Sequence, residues 1–300
     1  MNICQDRVVI VTGAGGGLGR AHALAFAAEG ARVVVNDIGT SREGEGASAT
    51  PAQQVVDEIT RAGGEATANT DDVADWDGAG RLVATAVDAF GRLDVLVNNA
   101  GFLRDRMLAS MSVEEWDAVI RVHLRGHFCP LRQAAGYWRD RSKAGEPVDA
   151  RVINTSSGAG LLGSIGQGNY SAAKAGIVGL TLVAAQELKR YGVTVNAIAP
   201  AARTRMTEVA MPEMMKRPES GFDAMAPENV SPLVVWLGSE QSREVTGRVF
   251  EVEGGVVSVA DGWQHGPKVD KGERWSPDEL GAVVASLLEQ APNPASVYGA

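Results

Sequence analysis

Short apolar runs alternate with longer amphipathic segments along most of the chain. The apolar runs, rich in valine and isoleucine, predict seven strands at residues 7–12, 31–37, 65–70, 92–99, 150–157, 193–200 and 248–255. Helical periodicity between them predicts helices at residues 17–30, 51–63, 75–91, 112–141 and 169–191. Ser112 is a typical N-terminal cap for the fourth of these helices, and Gly192 ends the fifth.

Strands that alternate with helices are typical of β-α-β units, whose parallel strands form a sheet with helices on both faces. We therefore predict an α/β protein with a single doubly wound domain of the Rossmann type, spanning 1–262, around a seven-stranded parallel sheet. Residues 263–300 are polar and predict a C-terminal extension with one short helix at 276–290. The irregular segment 201–227 follows a strand end and is a candidate lid.

Composition excludes several classes of function. The net charge of −9 and the pI of about 5.1 argue against nucleic acid or an anionic membrane as a partner. The two cysteines, Cys4 and Cys129, show no zinc spacing, and we expect no metal. The sequence contains neither a signal-like segment near residue 1 nor an apolar run of membrane-spanning length, which predicts a cytoplasmic protein.

A glycine-rich turn, "TGAGGGLG", lies between the first predicted strand and the first predicted helix. It places Gly13, Gly17 and Gly19 where a dinucleotide pyrophosphate needs close backbone N–H groups and the positive end of a helix. A tight turn without a ligand is the structural alternative. The strand–turn–helix context favours cofactor binding.

Asp37 ends the second predicted strand, 18 residues after Gly19. A carboxylate at this position accepts hydrogen bonds from the adenosine ribose and repels a 2′-phosphate, which predicts NAD rather than NADP. Arg20 and Arg42 are the residues that would weaken this preference, because a nearby arginine accommodates the phosphate. A solvated strand-end aspartate is the alternative interpretation.

Further candidate cofactor contacts follow the next two strands. Asp72 and Val73 are placed to flank the adenine, and Asn99, Ala100 and Gly101 lie beside the expected crevice. Asparagine side chains, including that of Asn98, also tie neighbouring strand ends together, so a purely structural role stays open.

Tyr170 and Lys174 are four residues apart and share one face of a predicted helix. An ammonium group beside a phenol favours the phenolate, which allows the tyrosine to exchange a proton with an alcohol. Ser157 lies 13 residues before Tyr170 at a strand end, where its hydroxyl is placed to hold the substrate oxygen. The pattern predicts interconversion of a secondary alcohol and a ketone.

Together, "TGAGGGLG", "NNAG", the Ser–Tyr spacing and "YSAAK" resemble the short-chain dehydrogenase/reductase family over about residues 5–262. The resemblance implies that Tyr170 is the acid/base, that Lys174 tunes it and holds the nicotinamide ribose, and that Ser157 orients the substrate. It also implies cofactor contacts by Leu18, Pro200, Ala202 and Thr204.

The chain departs from the family pattern at His123, where an asparagine usually supports a water-linked proton path. Two interpretations stay open at this position. His123 either substitutes in the proton path or satisfies a local hydrogen-bonding need.

Other stretches, such as "AGFLRDRM" and "RVHLRGHF", resemble the (3R)-hydroxyacyl-CoA dehydrogenase part of peroxisomal multifunctional enzyme type 2 and its stand-alone bacterial relatives. This resemblance implies a CoA thioester substrate, a (3R)-hydroxyacyl-CoA whose acyl group is either a fatty acyl chain or the side chain of a steroid. Four arginines on predicted loops are candidates for its phosphates: Arg104, Arg106, Arg203 and Arg205. The alternative substrate is a steroid or another bulky alcohol under an apolar lid of Met206, Met211, Met214 and Met215.

A non-catalytic NAD-binding scaffold or sensor is the alternative from another functional class. The presence of all three catalytic residue types argues against it. Small and apolar residues on the 169–191 helix also predict a homodimer or homotetramer: Ala172, Ala173, Ala175, Gly176, Gly179, Leu180, Leu182 and Val183.

Overall fold

The computed structural model describes residues 2–39, 50–204, 207–210, 212–213, 215–260, 262–295 and 297. Its strands are β1 (Val8–Thr12), β2 (Arg32–Asn36), β3 (Glu65–Asn69), β4 (Val95–Asn98), β5 (Ala150–Thr155), β6 (Val193–Ala201), β7 (Val249–Glu253) and β8 (Val256–Val259). They form one sheet in the order β3-β2-β1-β4-β5-β6-β7-β8. The strand order reverses direction between β1 and β4, which confirms the predicted doubly wound α/β class.

Helices cover both faces of the sheet. They are α1 (Gly17–Ala28), α2 (Thr50–Arg61), α3 (Trp76–Phe90), α4 (Val113–Ile120), α5 (Gly126–Lys143), α6 (Gly158–Leu162), α7 (Gly168–Leu188), α8 (Thr207–Ala210), α9 (Ser231–Gly238) and α10 (Leu280–Gln290). One core cluster joins the sheet to α1, α2 and α9, and a second joins it to α3, α5 and α7. The site residues therefore rest on a sheet that is packed on both sides.

Local chemistry explains why the predicted boundaries are close to the observed ones. All five residues of β1 are buried, as a central parallel strand requires. The Asp75 carboxylate accepts the Gly78 N–H at 2.6 Å and caps the start of α3. Gly91, with a φ of 80°, ends that helix in the left-handed conformation.

The sheet has eight strands, one more than the seven parallel strands that were predicted. β8 pairs antiparallel with β7, and the two are joined by Gly254 and Gly255. Gly254 has a φ of 53°, a conformation that glycine adopts without the steric cost that a Cβ imposes. This hairpin adds four exposed residues to the edge of the sheet.

The predicted helix at 112–141 is interrupted by a π-helical segment at Arg121–Arg125. The start is as expected, because Ser112 and Glu115 form a reciprocal capping box. The wider π turn accommodates an extra residue and places His123 in the interior, where it is 1% exposed. Hydrophobic periodicity alone does not reveal such a local change in helical pitch.

The outward face of α7 is narrower than predicted. Ala173 is fully buried, and Leu180 packs against the second core cluster. Gly176 lies against Leu124 and, like Leu180, is half-buried, so these three residues contribute little to an outward surface. The exposed stripe consists of Ala172, Ala175, Gly179, Leu182 and Val183.

The C-terminal helix begins later than predicted. α10 starts at Leu280 rather than Ser276, although the Ser276 N–H does donate to Glu279 Oε2 at 2.8 Å. No residue of α10 is buried. Among the described residues, we find no helix with the length and apolar character needed to cross a bilayer.

Candidate active site

Asparagine side chains join the strand ends on which the site is built. Asn36 Nδ2 donates to Asn69 Oδ1 at 2.8 Å, which links β2 to β3. Asn98 Nδ2 donates to Asn154 Oδ1 at 3.0 Å, which links β4 to β5. Asn154 Nδ2 then donates to the Thr181 hydroxyl at 2.9 Å, which attaches α7 to the same edge. The chain of hydrogen bonds from Asn98 through Asn154 to Thr181 therefore joins the sheet to the catalytic helix.

A cavity of about 880 Å³ opens at the carboxyl ends of the central strands. Ser157, Tyr170, Lys174 and His123 all line it. The structure therefore brings the four sequence-predicted catalytic candidates together, although they come from β5, α7 and the π segment. Most other lining side chains are apolar, including Leu18, Leu103, Ala199, Ala201, Met215, Phe222, Met225 and Val256.

Ser157 directly follows β5 and caps the short helix α6. Its Oγ accepts the Ala159 N–H at 3.2 Å. A hydroxyl has one donor and two acceptor positions, so the Ser157 proton is still available to a substrate oxygen.

Lys174 is 2% exposed, and its Nζ donates to the Thr155 carbonyl at 2.6 Å. This bond holds the ammonium 5.5 Å from the centre of the Tyr170 ring. Burial disfavours the charged form and lowers the pKa of Lys174 to about 7. The lysine therefore changes charge near pH 7.

His123 lies edge-on to Tyr170, with the ring centres 5.2 Å apart. Its Nε2 is 2.7 Å from the Phe102 carbonyl and 3.1 Å from the Phe102 nitrogen, which fixes the start of the loop after β4. Burial, followed by the charge of Lys174, lowers the pKa of His123 to about 3, so the imidazole is neutral near pH 7.

The second ring nitrogen of His123, Nδ1, is buried and has no partner among the described residues. Gly101 makes room for this ring, since a Cβ there would lie 2.2 Å from His123 Cε1. The contacts with Phe102 support the local hydrogen-bonding interpretation. A part in the proton path stays a prediction.

The glycine-rich turn is packed too tightly for side chains. A Cβ on Gly13 would lie 2.7 Å from Ala100 Cα, and a Cβ on Gly19 would lie 2.2 Å from the Gly13 carbonyl oxygen. Gly17, with a φ of 51°, begins α1 in a conformation that favours glycine. Asn99 Nδ2 donates to the Thr12 carbonyl at 3.0 Å and fixes the turn against β4.

This turn fits a nicotinamide dinucleotide. No side chain caps the start of α1, so its first N–H groups are available to a pyrophosphate. Four residues predicted to touch the cofactor line the adjoining cavity: Leu18, Pro200, Ala202 and Thr204. Together they would hold the dinucleotide between the turn and the end of β6.

The two predicted acidic cofactor contacts already have partners in the protein. Asp37 Oδ2 accepts the Gly15 N–H at 2.8 Å, and Oδ1 accepts the Gly39 N–H at 2.7 Å. Asp72 accepts the Ala74 N–H at 2.8 Å and pairs with Arg121 at 2.6 Å. Carboxylate oxygens accept more than one hydrogen bond, so these contacts leave acceptor positions for a ligand.

Val73, predicted to pack against the adenine, is 6% exposed and belongs to the second core cluster. Arg20 forms an ion pair with Glu58. Arg42, the other arginine near the predicted ribose site, lies outside the described residues.

The arginines considered for a CoA phosphate have different environments. Arg203 is buried, pairs with Asp223 and donates to the Met215 carbonyl at 3.1 Å, so it holds the segment after β6 together. Arg106 pairs with Glu115 at 2.9 Å. The Arg104 guanidinium lies 5.8 Å from the centre of the Phe102 ring. Arg205 lies outside the described residues.

Of the methionines proposed as a lid, Met215 is buried and lines the cavity. Met206, Met211 and Met214 lie outside the described residues. Among the described part of the chain, we find no cluster of side chains suited to a metal ion.

Sequence reasoning missed the contribution of the β7–β8 hairpin to the cavity. Glu251, Glu253, Val256 and Ser258 all line it. The sequence does contain a signal for this hairpin. Two glycines separate the β-branched runs of "RVFEVEGGVVSV", as is typical of a tight hairpin.

Comparison with known proteins agrees with this geometry. Residues 7–216 match the family model of the short chain dehydrogenases. Hydroxyacyl-CoA dehydrogenase ChsB1 of Mycobacterium tuberculosis is 47% identical over 93% of this chain and 88% of its own length. Peroxisomal multifunctional enzyme type 2 of Mus musculus is 48% identical over 86% of this chain, which spans 32% of that larger protein.

A solved structure supports the same assignment. The crystal structure of a short chain dehydrogenase from Mycobacterium avium has a TM-score of 0.89 and 66% identity, and the match covers 99% of this chain and 100% of that one. Such enzymes are oxidoreductases that use a nicotinamide cofactor. With this fold, this catalytic arrangement and these relatives, the chain belongs to the short-chain dehydrogenase/reductase family.

Proposed function

We propose that the enzyme interconverts a (3R)-hydroxyacyl-CoA and the corresponding 3-ketoacyl-CoA with NAD. The observation that carries this proposal is the convergence of Ser157, Tyr170 and Lys174 in one largely apolar cavity beside the glycine-rich turn. The relative from Mycobacterium tuberculosis, which is 47% identical, supports the substrate class, since it is named as a hydroxyacyl-CoA dehydrogenase.

Each catalytic side chain has a distinct part in the proposed oxidation. The Ser157 hydroxyl donates to the substrate oxygen, while Tyr170 takes the proton of the alcohol. A charged Lys174 beside the ring stabilises the phenolate, and its Nζ has two further N–H donors besides the one held by Thr155. A bound nicotinamide cofactor would supply the hydride-transfer chemistry in either direction.

A bulky alcohol such as a hydroxysteroid is the second candidate substrate. The apolar lining of the cavity favours this substrate. Arg106 and Arg203 already form ion pairs within the protein, which makes them weaker candidates for binding the phosphates of a CoA ester. A non-catalytic scaffold is disfavoured, because neither a scaffold nor a sensor needs the catalytic residues to share one cavity.

The direct test of the function is NAD reduction against a matched panel. The panel contains (3R)- and (3S)-hydroxyacyl-CoA esters of medium and long chain, a hydroxysteroid and a short secondary alcohol. We expect kcat/KM to be highest for a (3R)-hydroxyacyl-CoA. A higher value for the steroid would replace the first candidate by the second, and no turnover of any alcohol would contradict both.

The cofactor preference depends on Asp37, because its carboxylate at the end of β2 repels a 2′-phosphate. We expect Asp37→Asn, which keeps an acceptor for the Gly15 N–H, to weaken NAD binding about 10-fold. The difference between the affinities for NAD and NADP should therefore become smaller. Titration of both cofactors against tryptophan fluorescence measures this.

Asp57→Asn on α2 is the matched control, since Asp57 is exposed and pairs with Gln53. It removes the same charge and should leave both affinities unchanged. Tighter binding of NADP than of NAD by the unaltered enzyme would overturn the preference.

We also propose that the chain forms a homodimer or homotetramer through α7 and that residues 263–300 are an extension of a single domain at 1–262. The exposed stripe on α7 and the uncovered helix α10 support these proposals. Sedimentation that shows an active species of only 31.4 kDa would contradict the assembly.

A further inference from the structure

Two rows of side chains cross the last three strands and face the cavity. In the sheet register, Ala199 of β6 is opposite Glu251 of β7, and Glu251 is opposite Ser258 of β8. The second row consists of Ala201, Glu253 and Val256. Paired residues on neighbouring strands point to the same face, and all six line the cavity.

The small side chains of Ala199 and Ala201 leave space above β6, next to the two glutamates of β7. Glu251 is half-buried, whereas Glu253 is exposed at the turn. Among the described residues, neither carboxylate has an ion pair or a hydrogen-bond partner. The cation among the described lining residues is Lys174, and the Thr155 carbonyl holds it on the β5 side.

A half-buried carboxylate that loses its remaining contact with water needs a hydrogen-bond donor, because removing it from water without one is unfavourable. Its negative charge also repels phosphate. A substrate group that covers Glu251 and excludes water from it must therefore carry a hydrogen-bond donor, and it is not a phosphate. The Ser258 hydroxyl, next to it on β8, offers a second polar contact to the same group.

We infer that Glu251, assisted by Ser258, is a specificity-determining residue that accepts a hydrogen bond from a hydroxyl or amide N–H of the substrate. This inference rests on the proposed function and adds a second recognition point, away from the reacting carbon. Two parts of a hydroxyacyl-CoA supply such a donor. They are an additional hydroxyl on the acyl group and the amide N–H groups of the pantetheine arm.

The test compares Glu251→Gln and Glu251→Leu with the unaltered enzyme on three thioesters that share one 3-hydroxyacyl chain. The first is the plain CoA ester, and the second is a CoA ester with an added hydroxyl near the far end of the chain. The third is a simple ethyl thioester that lacks the pantetheine amides. NADH affinity and the melting temperature report whether each variant is folded.

Glu244→Gln is the matched control. Glu244 is exposed, lies before β7 and is not among the residues that line the cavity, so the change removes the same charge outside the site. We expect its KM values to equal those of the unaltered enzyme.

We expect Glu251→Leu to raise the KM of the donor-bearing substrate about 10-fold or more, with kcat changed less than 3-fold and with a smaller effect for Glu251→Gln. An effect confined to the hydroxylated chain places the donor on the acyl group. An effect on both CoA esters but not on the ethyl thioester places it on the pantetheine arm.

Two results would count against the inference in different ways. Equal KM changes on all three thioesters, or none, would overturn the role of Glu251 while leaving the proposed function intact. Absence of turnover by the unaltered enzyme on every thioester would overturn the proposed function and this inference with it.

Discussion

Tyr170→Phe is expected to lower kcat by about 100- to 10,000-fold, the range that general acid–base catalysis contributes. The substitution removes only the phenolic oxygen. It retains the ring that lies edge-on to His123 and beside Lys174, so the walls of the cavity are preserved. Steady-state NAD reduction with the best substrate of the panel measures the loss.

Tyr191→Phe provides the matched control for this experiment. Tyr191 lies in the short 3-10 turn after α7, where its ring stacks with the Arg190 guanidinium, and it does not line the cavity. Its variant should keep the activity of the unaltered enzyme. A Tyr170→Phe enzyme with more than a tenth of the original kcat would show that another group exchanges the proton.

Lys174→Met is expected to abolish most activity while making the protein more stable. The ammonium is buried, and burial has lowered its pKa from 10.5 to about 7, so the folded state is penalised whenever this group is charged. Methionine has a similar length and no charge. We expect the free energy of unfolding at pH 6 to rise by about 1 to 4 kcal/mol.

The stability gain of Lys174→Met should depend on pH, because the pKa of Lys174 differs between the folded and the unfolded state. Below pH 7 the lysine is charged in both the folded and the unfolded state, and the full penalty applies. Between pH 7 and pH 10.5 the folded protein has lost the proton that the unfolded chain still holds, so the stability of the unaltered enzyme rises. The advantage of Lys174→Met should therefore shrink over this range.

Urea unfolding of both proteins at several pH values measures the difference, and Lys189→Met is the control. Lys189 is exposed at the end of α7, so its substitution should change stability little at any pH. A Lys174→Met variant that is less stable at pH 6 would mean that the bond to the Thr155 carbonyl outweighs the cost of burying the charge.

Much of the scaffold was predictable because its signals are local. Buried valine runs, the Asp75 cap and the left-handed Gly91 each follow from neighbouring residues. The edge strand β8 was missed because its four residues are exposed and carry no alternating pattern, although the glycine pair before it predicts a turn.

The candidate site was predictable to the extent that its motifs have fixed spacing. Ser157, Tyr170 and Lys174 line one cavity, as the spacing requires. The π segment around His123, the burial of Ala173 and the ion pair that engages Arg203 depend on tertiary packing, which hydrophobic periodicity does not report.

The asparagine network divides the enzyme into a part that redesign should preserve and a part that it can alter. From Asn98 the hydrogen bonds run in one direction through Asn154 and the Thr181 hydroxyl to the Ile177 carbonyl, one turn beyond Lys174. A leucine in place of Asn98, Asn154 or Thr181 would leave a buried donor or acceptor unpaired and disturb the packing of α7 against the sheet. The β7–β8 hairpin lies outside this network, so new substrate ranges are best sought there, where a changed side chain reshapes the cavity and leaves the catalytic helix in register.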